Sequence, residues 1–286
     1  MAFDRECYDR AGNYQLVNTS NSPRRRWGTA YQLSDLLEQS PGGLEFASQD
    51  FALLTLAAEL SICFPGQLVF KGGFVLRHVH GILRFSTDVD ATRHKPPRLK
   101  LDAGEVAKAI SHASVGDIVR FSPQMPPATD SARSLDFDHV SVTGLLLPDG
   151  EVQVEISYRE AVIDPPERAM VGLPFYERFE ILSMAVPEMA AEKMRALAQR
   201  TRATDLADLA EMLARDDVSD VDIARLAIAK FAFVKQGTAN RSDRIERNLE
   251  EIGRDYDVVV PSLFPNARSY RDAVEIVWPR IRPLIP

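Results

Sequence analysis

Two aspartates separated by one residue are the sequence feature with the clearest chemical potential. Asp88 and Asp90 flank Val89 in the alternating segment Thr87–Ala91. Side chains two residues apart in a strand point to the same face, so the two carboxylates would lie close together. Such a pair repels itself unless it binds a cation or shares a proton. The pair therefore predicts a divalent-cation site, and the alternative is a solvated strand end or turn cap.

A pair of glycines precedes these carboxylates. Gly72 and Gly73 follow the short apolar segment Leu68–Phe70. Glycine lacks a Cβ atom, which lets backbone N–H groups approach a phosphate, and the start of a following helix favours negative charge. The order of strand, glycine pair, short helix and carboxylate strand predicts a triphosphate cradle, and the alternative is a plain turn. A Walker A loop is excluded because no Gly-Lys-Ser/Thr sequence follows Gly66.

A third acid, Glu155, lies in the alternating segment Val152–Ser157, on the side opposite to the apolar residues. If this strand lies beside the one that carries Asp88 and Asp90, three carboxylates converge. Together with water and phosphate oxygens they could hold magnesium. The alternative is a solvent-facing glutamate at a sheet edge.

A second group of charged residues lies in the carboxy-terminal part of the chain. Lys193 and Arg200 are seven residues apart, two helical turns, so both cations emerge on one helix face. Lys193 can act as a point charge on triphosphate oxygens. Asp205, near the start of the next helix, could orient that lysine or take a proton from the acceptor hydroxyl. The alternative is a salt bridge between helices.

The elements that position these residues differ between the two parts of the chain. The first 45 residues are predicted to be a polar lead-in with one helix over 29–38. Strands are then predicted over 68–70, 87–91, 117–121, 139–147 and 151–158, with helices over 44–63, 74–80 and 102–113. Beyond Ile181 the predicted segments are helices, over 187–200, 205–214, 219–233, 242–255 and 269–278. Pro279 and Pro283 are expected to end the last one before the carboxy terminus. We therefore predict an α/β lobe with a mixed sheet over 1–180 and a helical lobe over 181–286.

Composition restricts the class of protein. The 286 residues are 45% hydrophobic and 26% charged, as in ordinary globular proteins. Cys7 and Cys63 are too few for a disulfide framework, so a reducing, cytoplasmic location is expected. The amino terminus lacks the apolar core of a secretory signal, and the apolar stretch Phe51–Phe64 contains Glu59 and is short, so no membrane partner is expected. The net charge of −7 opposes non-specific RNA binding, although Arg24–Trp27 combines charge with a stacking surface.

Two strings resemble the AbiEii-type nucleotidyltransferases, a family that includes the MenT toxins. The first string runs from Phe70 to Asp90, with the glycine pair and the aspartates in order. The second runs from Ala191 to Leu209 and contains a lysine, a downstream arginine and an Asp-Leu-x-Asp-Leu segment. At two positions the chain departs from the pattern. Phe74 replaces a small hydroxylated residue and could narrow the cradle, and Thr204 replaces an arginine, for which Arg202 could substitute.

The resemblance implies a nucleotidyltransferase-fold lobe with a mixed sheet, followed by a helical bundle. It implies transfer of a nucleotide from NTP with release of pyrophosphate, by a toxin that has a separately encoded antitoxin partner. For MenT-like members it implies tRNA, at its 3′ end, as the RNA acceptor. The resemblance implies three groups of site residues. The catalytic residues are Asp88, Asp90, Lys193 and Asp205, and the nucleotide-binding residues are Lys71, Gly72, Gly73, Ser86 and Arg200. The Mg²⁺-binding residues are Asp88, Asp90 and Glu155.

Two other functions fit the same residues. One is transfer of a nucleotide to a protein or a small molecule. The other is a catalytically silent module that senses a nucleotide or binds an antitoxin. The joint presence of Asp88, Asp90, Lys193 and Asp205 argues against the silent module, because binding alone does not require all four.

Overall fold

The computed structural model describes residues 5–8, 14–17, 42–94, 106, 114–115, 119–124, 132–141, 149–157, 161–172, 178–232 and 240–285. Three predicted features lie outside these residues. They are the basic segment Arg24–Trp27, the helix over 29–38 and, except for the buried Val106, the helix over 102–113.

The described strands form one mixed sheet and one separate hairpin. The strands are β1 (Arg5–Tyr8), β2 (Tyr14–Val17), β3 (Leu68–Lys71), β4 (Asp88–Arg93), β5 (Ser114–Val115), β6 (Val119–Gln124), β7 (Ala132–Ser141), β8 (Asp149–Ser157), β9 (Glu167–Val171) and β10 (Phe179–Ser183). The sheet has eight strands in the order β5-β6-β7-β8-β4-β3-β10-β9, and β1 pairs with β2. Strand β4 is parallel to β8 and antiparallel to β3, which is itself parallel to β10.

The described helices are α1 (Gly43–Cys63), α2 (Gly72–His78), α3 (Val186–Leu197), α4 (Ala203–Leu213), α5 (Asp220–Ala232), α6 (Arg241–Ile252), α7 (Tyr256–Val259) and α8 (Tyr270–Ile281). Short 3-10 turns follow α7 and α8, at Val260–Ser262 and Arg282–Leu284.

The chain forms two compact units that alternate along the sequence. The first unit takes residues 1–79, 85–161 and 168–183, and the second takes 80–84, 162–167 and 184–286. The division into lobes over 1–180 and 181–286 stays a prediction.

Helix α1 is the core helix of the first unit. Its run from Phe51 to Leu60 is buried, and it packs on β4, β8 and β10. The segment Glu45–Cys63 is long and apolar enough to cross a membrane by length and composition alone, but most of it is buried inside the fold. The helix ends before Pro65 and Gly66, the second of which has a φ of +72°. On the sheet beneath α1, the apolar side chains of Val89 and Val154 are fully buried.

Several predicted strands differ from the observed ones. Strand β7 spans 132–141 instead of 139–147, while β9, β10 and the β1–β2 hairpin were not predicted. Strand β10 joins the sheet through β3, more than a hundred residues earlier in the chain. Such a distant pairing leaves no local signal in the sequence. Strand β9 lies at the sheet edge with mostly exposed side chains, so it lacks a clear apolar alternation.

The second unit is built on α3, which packs against α4 and α5. A buried charge cluster supports this packing: Lys230 Nζ lies 2.6 Å from Glu188 Oε1 and 2.8 Å from Glu192 Oε1. The Glu188 carboxylate also accepts hydrogen bonds from the backbone N–H groups of Ile163 and Asp164, at 2.8 and 3.0 Å. The segment 162–167 is therefore tied to the helices by a buried carboxylate.

The predicted helix boundaries in this unit are correct to within a few residues, with one clear error. Helix α8 continues through Pro279 to Ile281, although Pro279 was expected to end it. Because this proline lies in the last turn, it removes one late backbone hydrogen bond and does not interrupt a long helical run.

Candidate active site

The two β4 aspartates are arranged as the sequence predicts. Asp88 is the first residue of β4 and Asp90 the third, and both are partly exposed. Val89 between them is fully buried on the opposite face of the strand. Strand alternation therefore presents two carboxylates side by side and anchors them by an apolar residue.

The neighbouring strands add charged residues on the same face. Lys71 of β3 and Glu155 of β8 are the register partners of Asp90 on either side. Residues in register on adjacent strands project to the same face, so Lys71, Asp90 and Glu155 form one row across the sheet. The predicted placement of Glu155 beside the aspartate strand is thus correct. Among the residues the structure describes, however, no three His, Cys, Asp or Glu side chains group closely enough to hold a metal ion, so the expected convergence of three carboxylates is not observed.

Gly72 is packed directly against Asp90. Its φ of +69° lies in the left-handed region that glycine favours, at the junction of β3 and α2. A Cβ atom at this position would meet the Asp90 carboxylate, with Cγ only 3.2 Å away. Gly73 is buried in the first turn of α2. Both backbone conformation and close approach therefore require glycine at position 72.

Phe74 does not narrow a cradle as expected. Its side chain is fully buried, and its ring centroid lies 6.1 Å from that of Phe70 and 4.7 Å from that of His78. The residue that replaces the family hydroxyl therefore packs into the core of the first unit.

Ser86 is engaged with the first aspartate. Its buried hydroxyl lies 3.0 Å from Asp88 Oδ1 and 3.1 Å from the Asp88 backbone oxygen, and it can donate its one hydrogen to either. This contact orients the Asp88 carboxylate. The expected role of Ser86 as a phosphate ligand stays a prediction.

The second unit contains a chain of five alternating charges around Lys193. Lys193 Nζ lies 2.9 Å from Asp205 Oδ1 and 2.7 Å from Asp208 Oδ2. Asp205 also accepts two hydrogen bonds from Arg200, at 2.7 and 3.0 Å, and Asp208 Oδ1 lies 2.5 Å from Arg84 Nε. Both aspartates are fully buried. The predicted residues Lys193 and Arg200 therefore both contact Asp205, the third predicted residue of this group.

Electrostatics within this chain of charges define what each group can do. Burial alone would raise the pKa of Asp205, but the charges of Lys193 and Arg200 and their hydrogen bonds lower it to about 2. Burial alone would lower the pKa of Lys193, but Asp208 and Asp205 outweigh it and raise that pKa. A carboxylate with so low a pKa is a weak base at neutral pH. Of the two roles expected for Asp205, orientation of Lys193 is the one this geometry favours.

Two members of this chain of charges, Asp208 and Arg84, were given no role from the sequence, although both lie in the strings that resemble the AbiEii family. Asp208 lies three residues after Asp205 on α4, and this spacing places both carboxylates on neighbouring positions of one helix face. That spacing was a usable signal. Arg84 gave no such signal, because its partner is far away in the sequence and only the fold brings them together.

Several solved structures resemble this one, among them a mycobacterial and a Helicobacter protein. The nucleotidyltransferase toxin MenT4 from Mycobacterium tuberculosis superimposes with a TM-score of 0.62 at 19% identity, over 90% of this chain and 88% of that chain. The JHP933 protein from Helicobacter pylori superimposes with a TM-score of 0.51 at 18% identity, over 82% and 90% of the two chains. These matches confirm the expected fold class. No curated protein sequence matches the chain closely enough to count as a relative.

The sequence also matches a family model directly. The model describes the AbiEii toxin, a nucleotidyl transferase of type IV toxin–antitoxin systems, and it covers residues 58–276. This span is more than half of the chain and contains both groups of charged residues described above. The chain therefore belongs to the AbiEii family of nucleotidyltransferase toxins.

Proposed function

We propose that this nucleotidyltransferase moves a nucleotide from NTP to an RNA acceptor, the 3′ end of tRNA, and releases pyrophosphate. In the bacterial cytoplasm it would act as a growth-inhibiting toxin that a separately encoded antitoxin neutralises. The observation that carries the proposal is the pair Asp88 and Asp90 on one face of β4, with Gly72 packed against the second carboxylate.

The residues around this pair fit a magnesium ion. Asp88 and Asp90 supply hard carboxylate oxygens, and the absence of a side chain at Gly72 leaves the space that the Asp90 carboxylate occupies. Mg²⁺ commonly binds through one or two carboxylates and completes its shell with water and substrate phosphates. Glu155, in register with Asp90 but not grouped with both aspartates as a three-carboxylate site, is proposed to add negative charge beside the ion. When bound, Mg²⁺ supplies positive charge that stabilises the phosphate oxygens during transfer.

The other site residues act on the triphosphate or on these carboxylates. Ser86 orients Asp88 through its hydroxyl. Gly72 and Gly73 are proposed to offer backbone N–H groups to phosphate oxygens, with Lys71 as a nearby cation. In the reaction the acceptor hydroxyl attacks the α-phosphorus while the bond to the pyrophosphate oxygen breaks.

Lys193 is proposed to neutralise triphosphate charge in the same reaction. Asp205 and Asp208 keep it protonated and hold its ammonium group in place. Arg200, whose side chain is 46% exposed, pairs with Asp205 and has exposed area left for an anion. Arg202 is exposed in the same connection between α3 and α4, so this loop is the proposed point of contact with RNA.

The experiment that tests the proposal supplies purified protein with each of four labelled nucleotides and a tRNA pool. We expect label from one or more nucleotides on the 3′ end of tRNA, removed by nuclease and retained after protease treatment. Asp88→Asn should abolish labelling, and Asp243→Asn, an exposed acid on α6, should not. Label that protease removes would move the acceptor to a protein. Absence of any transfer, together with NTP binding, would favour the silent module.

A second arm follows growth. Expression in bacteria should arrest growth in a way that depends on Asp88, and tRNA from arrested cells should carry extended 3′ ends. Unextended, fully chargeable tRNA during an arrest that requires Asp88 would reject tRNA as the acceptor.

A further inference from the structure

One face of α1 contacts two segments next to the β4 aspartates, namely α2 and the residues just before Asp88. Phe46, Gln49 and Asp50 lie three and four residues apart, a spacing that places their side chains on one side of a helix. The segments they contact are α2, which begins at Gly72, and the residues just before Asp88. All of these belong to the first unit.

Asp50 forms the strongest of these contacts. Arg77 Nε lies 2.9 Å from Asp50 Oδ1 and Arg77 Nη2 2.8 Å from Oδ2, a two-pronged pairing of guanidinium with carboxylate. His78 Nε2 lies 2.9 Å from Asp50 Oδ1. The Asp50 side chain is only 4% exposed. A buried carboxylate therefore holds the last two residues of α2.

Burial alone would raise the pKa of Asp50, but hydrogen bonds and charge from His78 and Arg77 lower it below its ordinary value. The carboxylate is therefore ionised at neutral pH. Asp50 therefore carries its negative charge in the pair with Arg77.

Phe46 and Gln49, the other two residues of this face, contact Arg77 and the segment just before Asp88. The Arg77 guanidinium stacks over the Phe46 ring at 4.5 Å, and the Phe46 ring centroid lies 3.4 Å from that of Phe85. Gln49 Nε2 donates a hydrogen bond to the backbone oxygen of Thr87 at 3.3 Å. The segment Phe85–Thr87 is thus held by the same helix face as α2.

The contacts of Asp50 with the end of α2 lie only a short helix away from the β4 aspartates that are proposed to bind the cation. Helix α2 has only seven residues, so fixing its last two restricts where its first residue lies. That first residue, Gly72, already touches Asp90 so closely that even a methyl group would not fit. A small displacement of α2 would therefore press on Asp90 or open a gap beside it.

We propose that Asp50 is a positioning residue of the nucleotidyltransferase site, which acts through Arg77 and α2 to set the position of Gly72 against Asp90. This inference rests on the proposed role of Asp88 and Asp90 in holding the cation. It assigns a function to a carboxylate that does not touch substrate.

The test replaces Asp50 by Asn, which keeps the shape and removes the charge. We expect the turnover number at saturating NTP to fall by about 10²-fold, the typical cost of an ångström-scale misplacement. Mn²⁺ affinity, measured by electron paramagnetic resonance with a non-hydrolysable NTP, should fall by about 10-fold, as when an outer-shell support of a metal ligand is lost. Thr55→Val is the matched control, since Thr55 is buried on the same helix and its hydroxyl donates to the Phe51 backbone oxygen within α1.

Several outcomes decide the matter. The double variant Asp50→Asn/Arg77→Gln should lose no more activity than the more impaired single variant, because both act through one contact. If Asp50→Asn does not fold, Arg77→Lys keeps the charge, loses the fork geometry and should show the same loss of Mn²⁺ affinity. Mn²⁺ affinity and turnover equal to those of Thr55→Val would overturn the inference. If Asp88→Asn also leaves Mn²⁺ binding unchanged, the proposed cation site itself fails.

Discussion

Replacing Asp205 by Asn should destabilise the second, helical unit at neutral pH and about half as much at pH 3. The pKa of Asp205 falls from its ordinary 3.8 to about 2 in the folded chain. At about 1.4 kcal/mol per pKa unit, ionised Asp205 contributes on the order of 2.5 kcal/mol to the free energy of unfolding. The side chain is fully buried, so solvent screens this contribution little.

The sign follows from the direction of the shift. A carboxyl group whose folded pKa is depressed stabilises the protein above its unfolded pKa, near 4, and loses that effect as the pH falls through about 2. At pH 3 about half of the contribution remains. The difference between the wild type and Asp205→Asn should therefore shrink between pH 7 and pH 3.

The assay is urea unfolding followed by the fluorescence of Trp278, which lies on α8 in the helical unit. The chain has two tryptophans, so both proteins carry Trp27→Phe and Trp278 is the single reporter. Glu275→Gln is the control, because Glu275 forms an exposed pair with Arg271 on the same helix. Exposed pairs of this kind contribute about 0–1 kcal/mol. An Asp205→Asn loss that is equal at pH 7 and pH 3, or no larger than that of Glu275→Gln, would refute the electrostatic reasoning.

Three further predictions concern activity. Changing either β4 aspartate to asparagine should lower transfer of labelled nucleotide by about 10²-fold or more, with the melting temperature unchanged or raised because a repelling charge is removed; wild-type turnover would contradict the metal assignment. Lys193→Ala should weaken NTP binding and slow transfer, measured in equilibrium and kinetic assays, more than Arg200→Ala does, and Lys193→Arg should restore both in part. If Lys193→Ala alters neither binding nor rate, Lys193 serves only as a structural salt bridge. Gly72→Ala should lower transfer well beyond its effect on the melting temperature, because its methyl group meets Asp90, whereas Gly66→Ala, which has a similar φ but open space, should change only the melting temperature.

Local pattern was sufficient where the determinants are local. The alternation around Val89 gave the strand and the common face of its two aspartates, and the apolar run up to Cys63 gave α1 almost to the residue. The glycine pair marked the junction between β3 and α2. In each case the residues that decide the structure lie within one or two turns of one another.

Prediction failed where the partner is distant in sequence. Strand β10 is added to the sheet through β3, and Arg84 finds Asp208 only in the folded chain. The pairing of Asp50 with Arg77 likewise connects two helices whose sequences each read as ordinary amphipathic or apolar segments. Charge complementarity between such residues is invisible until topology brings them together.

The way the two units alternate along the chain limits how the toxin can be divided. Segments 80–84 and 162–167 belong to the second, helical unit, although in sequence they lie between parts of the first unit. The buried carboxylate of Asp208 contacts the first segment, and that of Glu188 contacts the second. A fragment truncated near residue 180 would keep both segments and lose both carboxylates. Arg84, a residue only 8% exposed, would then lose its contact with the Asp208 carboxylate, four residues before Asp88. We therefore expect a premature stop codon anywhere before Asp208 to leave no independently folded fragment and to abolish activity.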